Sequence, residues 1–392
     1  MSSDSRSTTR ISSAAPGNAA QVALGARTSR HWLALWVVGV CVAVIVYASL
    51  QPFSGWTTPD ASMRFFLWQW NQRWKTADVV FNVLAYVPLG AALAVACPER
   101  WSTVRRTALT LLSAGALSFI MEAAQMWLPT RYASVFDLLA NLGGTLIGAL
   151  LGMLLIVCTP LVGLAGRARQ TLIVSGPSGD LQLVLLGVWL FAQINPAIPL
   201  FGATFHPGQL AAFDPAVVLV ELAQTAAALI GIGLFTDLTM RKRWLGGIAL
   251  IVVVGLAIAM KTAAAQAVLK PLAWEEWLRP GHTLGLAGGA FALMVLFWLP
   301  RSVKSVLASI AMLSGVLIML LLPDFVAAKA PLSIFSWNYG HLLHLNGLTH
   351  TIVILWPFVA TAVLFWRFVM LRGNKVNPTT VSEVPFPMGK LP

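Results

Sequence analysis

Long apolar runs leave this chain of 392 residues one environment in which to fold. Stretches such as "WVVGVCVAVIVYASL" (36–50) and "LGGIALIVVVGLAIAM" (245–260) carry no charge. Ten runs of this kind occur, at about 32–50, 79–97, 107–124, 137–162, 181–198, 216–239, 244–268, 283–299, 303–322 and 348–370. A helix of roughly 20 apolar residues crosses the hydrocarbon core of a bilayer. Inside lipid the backbone must satisfy its own hydrogen bonds, so only helices and closed barrels cross it. The runs are continuous rather than alternating, which selects helices over barrel strands. The expectation is an all-α protein, a polytopic transmembrane helical bundle of about ten spans. Composition agrees, with 58% hydrophobic and 10% charged residues and a mean hydropathy of +0.78, where a soluble domain carries about 25% charged residues.

The net charge of +12 does not point to nucleic acid. The basic residues punctuate short loops and form no stripe. They do set an orientation, because Lys and Arg concentrate on the cytoplasmic side. With the N-terminus inside, most of the 26 basic residues fall on inside segments. Each inside segment holds at least two, whereas the outside loop 199–215 holds none. Both termini are then expected in the cytoplasm, with the chain in a plasma (inner) membrane. The expected organisation is a disordered cytosolic tail over 1–30, a four-helix membrane domain over 31–162, and a cytosolic linker over 163–180. A second membrane region of about six helices over 181–371 and a cytosolic tail over 372–392 complete it. In the first outside loop, Met63, Phe66, Trp70 and Trp74 share one helical face, as in a helix lying at the interface. Cys41, Cys97 and Cys158 lie far apart, in or beside apolar runs, and read as small buried hydrophobes.

Against this background the polar residues inside the runs stand out. "DVVFN" (78–82) and "DLLAN" (137–141) both place Asp four residues before Asn at the start of a span. An Asp there is favoured by the free N–H groups and the helix dipole. Asp137, Asn141, Gly144 and Gly148 share one helical face, and the two glycines form a small-residue surface for close helix packing. Glu122 and Gln125 share a face at the end of the preceding span. There the dipole disfavours an acid, so Glu122 needs a cation or a proton. Arg131, in the short loop that follows, is the nearest cation in sequence, and a guanidinium can bridge two carboxylates. The antiparallel hairpin is expected to bring Glu122, Asp137, Asp78 and Arg131 to one depth, either as a structural network or as a binding or proton-handling site.

These residues resemble the VanZ-like family of membrane proteins over roughly 32–160. The resemblance is carried by Asp78, Asn82, Pro88, Gly90, Glu122, Gln125, Pro129, Arg131, Asp137, Asn141, Gly144 and Gly148. It implies an envelope role related to resistance to teicoplanin-type glycopeptides, through lipids or lipid-linked precursors at the outer leaflet. It supplies no reaction.

The remaining spans fall outside that resemblance. The first four spans read as two copies of a helical hairpin, and spans five to eight as a fainter copy of the four, on the recurrence of Gln and Pro at span ends and of "LGLAGGA" (284–290). Glu221 and Lys261 lie at matching depths of adjacent spans and are expected to pair. "SWNYGHLLHLNGLTH" (336–350) groups His341, His344 and His350 without a Cys or acidic partner, so no metal site is expected. "KPLAWEEWLRPGH" (270–282), with Glu275, Glu276 and Arg279, reads as an outside rim. No phosphate-cradling loop, zinc-protease His pair or nucleophile elbow occurs, and nothing calls for a cofactor. A secondary transporter or flippase, and a membrane-embedded enzyme using Glu122 or Asp137, are the alternatives to the envelope reading.

Overall fold

The computed structural model describes residues 16–59, 67, 70, 76–98, 100–195, 198, 200, 201, 214–268, 279–322 and 340–376. Among them it is all helical. The elements are α1 (Pro16–Leu50), α2 (Thr76–Ala96), α3 (Thr103–Gln125), α4 (Val135–Val157), α5 (Thr159–Leu172), α6 (Pro177–Ala192), α7 (Pro215–Thr239), α8 (Leu245–Val268), α9 (Pro280–Leu296), α10 (Arg301–Leu321) and α11 (Gly340–Val376). An isolated antiparallel bridge pairs Ile173 with Met240. Eight helices carry a stretch long and apolar enough to cross a membrane, and α6 and α9 are shorter apolar helices. The ten expected runs thus each correspond to an apolar helix.

Two boundaries differ from the sequence reading. Residues 16–30, expected as disordered tail, begin α1. Pro16 suits a first helical turn, and the Ala-rich stretch behind it favours helix even without an apolar face. The expected linker 163–180 is likewise mostly helix. Span four ends at Val157, and α5 runs from Thr159 to Leu172 with Arg169 in its last turn. The proposed interfacial helix at Met63, Phe66 and Trp74 lies outside the described residues; Trp70 is described and exposed. Residues 336–339 and the side chains of His341 and His344 also lie outside them, as do 270–278 of the expected rim.

Helix starts follow local chemistry. Pro177, Pro215 and Pro280 each sit in a first turn, where the missing N–H costs nothing. Asp214 caps α7, its Oδ1 accepting from Ala216 N at 2.8 Å.

The chain forms two compact units. One comprises Met1–Cys41, Asn71–Ser118 and Phe136–Gln170, the other Val42–Trp70, Phe119–Val135 and Thr171–Pro392. In the first unit α4 packs on α2 through glycines. A Cβ on Gly144 or Gly148 would collide with the backbone carbonyl of Val83 or Val87, and one on Gly152 would lie 2.7 Å from Ala91 O. In the second unit Phe235, Leu234, Ile232 and Leu238 of α7 form the centre of the core. Trp356 of α11 meets Phe235 edge-on at 5.2 Å between ring centroids, and its indole N–H donates to Leu185 O at 2.7 Å. Large apolar side chains such as Leu150, Leu154, Ile251 and Phe291 face outward, as helices in hydrocarbon require.

Candidate functional site

The expected polar cluster divides between the two units. Asp78, Asn82, Asp137 and Asn141 fall in the first, and Glu122, Gln125 and Arg131 in the second.

In the first unit Asp78 and Asp137 lie in the first turns of α2 and α4, where the positive end of a helix dipole favours them. Asn141, one turn further, is buried. Its Nδ2 donates to Ser118 Oγ of α3 at 2.9 Å, and its backbone carbonyl accepts from Thr145 Oγ1 at 2.8 Å. Its Oδ1 has no hydrogen-bond partner among the described residues. An amide oxygen buried without a donor costs free energy, so such an atom calls for an explanation.

In the second unit the group forms around the C-terminal end of α1. Carbonyls there lack intrahelical partners. Arg131 supplies donors: Nη2 to Ala48 O at 2.8 Å and to Gln51 O at 3.1 Å, and Nε to Gln51 O at 3.3 Å. Gln125 Nε2 donates to Ser49 O at 3.2 Å. Glu122, only 3% exposed, accepts from Ser134 N at 2.9 Å, just ahead of α4. Burial pulls the Arg131 guanidinium below its usual pKa, and the Glu122 carboxylate pulls it back up. The Glu122 carboxylate thus acts on the Arg131 charge.

The expected Glu221–Lys261 pair does not form. Glu221 Oε1 takes the Arg279 Nε–H at 2.5 Å. Lys261 Nζ donates to Asn195 O at 3.0 Å and Ile198 O at 2.6 Å. Arg279 was read as part of a rim, yet it caps the N-terminus of α9 and is 7% exposed. The signal for it was present in Pro280 and in glycines at 281, 285 and 289, which mark a helix start and one packing face. His282 completes the group, with Nδ1 2.9 Å from Thr225 Oγ1 and Nε2 3.8 Å from Glu221 Oε1. A second buried ion pair, Lys304 Nζ to Asp237 Oδ2 at 2.6 Å, lies at the other end of α7. Nearby, Arg367 donates to Leu238 O at 2.7 Å and Gln182 Oε1 at 3.2 Å. Sequence reasoning missed both, because their partners are remote in the chain.

One comparison bears on these groups. Residues 26–156 match the VanZ/LLP1 family. No curated protein and no solved structure matches the chain. The VanZ/LLP1 segment ends with α4, so α5 to α11 lie beyond it. Every residue that carried the resemblance, from Asp78 to Gly148, lies inside it. The glycines of that motif are those seated on α2, and its Asn141 holds the open acceptor.

Proposed function

We propose that this membrane protein acts at the cell envelope, its VanZ/LLP1 segment engaging lipids or lipid-linked wall precursors in the outer leaflet of a bacterial plasma membrane. The outcome is low-level protection against teicoplanin-type glycopeptides. The observation that carries the reading is Asn141, a motif residue 5% exposed whose side-chain oxygen is left open beside Ser118 and Thr145. The glycines seat α4 on α2, and the Asn141 amide holds Ser118 of α3 through its nitrogen, which leaves only its oxygen for another donor. A hydroxyl or amide of a bound headgroup is the donor that such an oxygen takes.

The test is glycopeptide susceptibility in a sensitive Gram-positive host expressing wild type, Glu122→Gln, Asp137→Asn or Asn141→Ala, with membrane levels of each protein measured. Asn141→Ala forfeits one hydrogen bond, worth about 1 kcal/mol, so that variant accumulates. Protection by wild type that disappears in Asn141→Ala at equal protein level supports the reading. Full protection by Asn141→Ala, or none by wild type, overturns it. A secondary transporter or flippase is the second reading, favoured by the Glu221–Arg279 pair buried between α7 and α9. Substrate movement that depends on a proton gradient distinguishes it.

A further inference from the structure

The α7–α9 contact reproduces the α2–α4 contact. On α4, glycines at 144, 148 and 152 meet Val83, Val87 and Ala91 of α2. On α9, glycines at 281, 285 and 289 meet Val218, Leu222 and Ala226 of α7. In both pairs residue numbers rise together along the seam, so the two helices are parallel, and contacts recur every four residues. When Gly285 on Leu222 is matched to Gly144 on Val83, which sets Gly289 on Gly148 and Gly281 on Ala140, Glu221 takes the place of Asn82. His282 then takes the place of Asn141. The polar position of the family motif is thus occupied, in the second unit, by two titratable groups.

We propose that Glu221 and His282 form a proton-binding pair, held in place by Arg279 and Thr225. All four residues are nearly inaccessible, at 3% for Glu221 and His282, 7% for Arg279 and 0% for Thr225. The Glu221–Arg279 pair leaves Glu221 Oε2 buried without a hydrogen-bond partner. The imidazole adds a second titratable group beside it, with Nε2 3.8 Å from the Oε1 that Arg279 holds. Thr225 suits both protonation states of the ring. Its hydroxyl donates to Nδ1 of the neutral imidazole and accepts from Nδ1–H of the imidazolium.

The proton balance is simple. A proton from water adds to the neutral imidazole, giving an imidazolium whose Nε2–H faces Glu221 Oε1. Transfer to the carboxylate, whose Oε2 has no hydrogen-bond partner, leaves a neutral imidazole and a carboxylic acid, and Arg279 stays a guanidinium throughout. The pair gains one proton, whichever atom carries it. Among the described residues, the charged groups set on Glu221 are Arg279, the N-cap residue of α9, and His282 of α9 itself. The ammonium of α8, Lys261, is committed to the carbonyls of Asn195 and Ile198. Lys304 of α10 and Arg367 of α11 are held by Asp237, Leu238 O and Gln182 at the far end of α7. Chains of buried Glu and His in membrane helices are the usual elements of proton relays. This inference does not rest on the envelope reading.

The test is pH-difference infrared spectroscopy of the full-length protein in lipid nanodiscs. Acidification of wild type is expected to produce the carbonyl stretch of a newly protonated carboxyl together with imidazole bands. The carboxyl band disappears in Glu221→Gln and the imidazole bands in His282→Gln. Thr225→Val shifts the midpoint of both. Spectra in which Glu221→Gln and His282→Gln match wild type overturn the proposal and leave a static ion pair. Should Glu221→Gln fail to accumulate, His282→Gln decides. Wild-type spectra without carboxyl or imidazole changes overturn it with no variant needed.

Discussion

Lys304 is fully buried, which an ammonium tolerates only beside a counter-charge. Asp237 provides it, and Gly246 makes room, since a Cβ there would strike the Asp237 carboxylate. Lys304→Met leaves Asp237 buried and unpaired. The expected loss is about 3–5 kcal/mol, read as a lower unfolding temperature in detergent, with most of it recovered in the double variant Lys304→Met, Asp237→Leu. Additive losses would show that the pair is uncoupled. At this scale the sequence was a partial guide. It revealed that Glu122 requires a cation, because an acid at a helix C-terminus is disfavoured whatever the tertiary fold. It concealed that Arg131 also holds the backbone carbonyls of Ala48 and Gln51, because carbonyls leave no mark on composition. The same blindness produced the Glu221–Lys261 expectation. Lys261 is satisfied by two carbonyls, and the partner of Glu221 lies in a segment that reads as loop.

At the scale of elements the glycine seams decide how close helices come. A methyl group at Gly148 meets the Val87 carbonyl and one at Gly285 lies 2.7 Å from Leu222 O, so neither seam has room for it. Overpacking of this kind costs typically about 1–3 kcal/mol. Gly148→Ala and Gly285→Ala are each expected to lower thermal stability, whereas Gly143→Ala, with open space around its Cβ, leaves it unchanged. Equal stability of all three would mean that the helices separate freely. The seam on α4 was legible from the spacing of Gly144 and Gly148. That on α9 was visible only as the weak echo "LGLAGGA", since one glycine stripe resembles another until its partner helix is known.

At the scale of the molecule the apolar runs foretold the helices well, because burial in lipid imposes its demand on every residue of a span. Their ends were less legible. By length alone α6 and α9, with 16 and 17 residues, reach about 24 and 26 Å, short of a hydrocarbon core of about 30 Å. The basic residues nonetheless require both to cross if the alternation is to hold. Reporter fusions test this. Fusions after residue 30 and after 376 are expected to report cytoplasm, and one within 202–213 the outside. A cytoplasmic report from 202–213 would mean that α6 does not cross.

The end of α1 carries a last consequence. Tyr47 there hydrogen-bonds Thr351 of α11 at 3.0 Å, and Gln51 lies against Gly347. The first helix of the segment that matches VanZ/LLP1 is therefore finished by α11, which lies beyond that match. A chain cut after α10 would keep every motif residue and still take Thr351 from Tyr47 and Gly347 from Gln51.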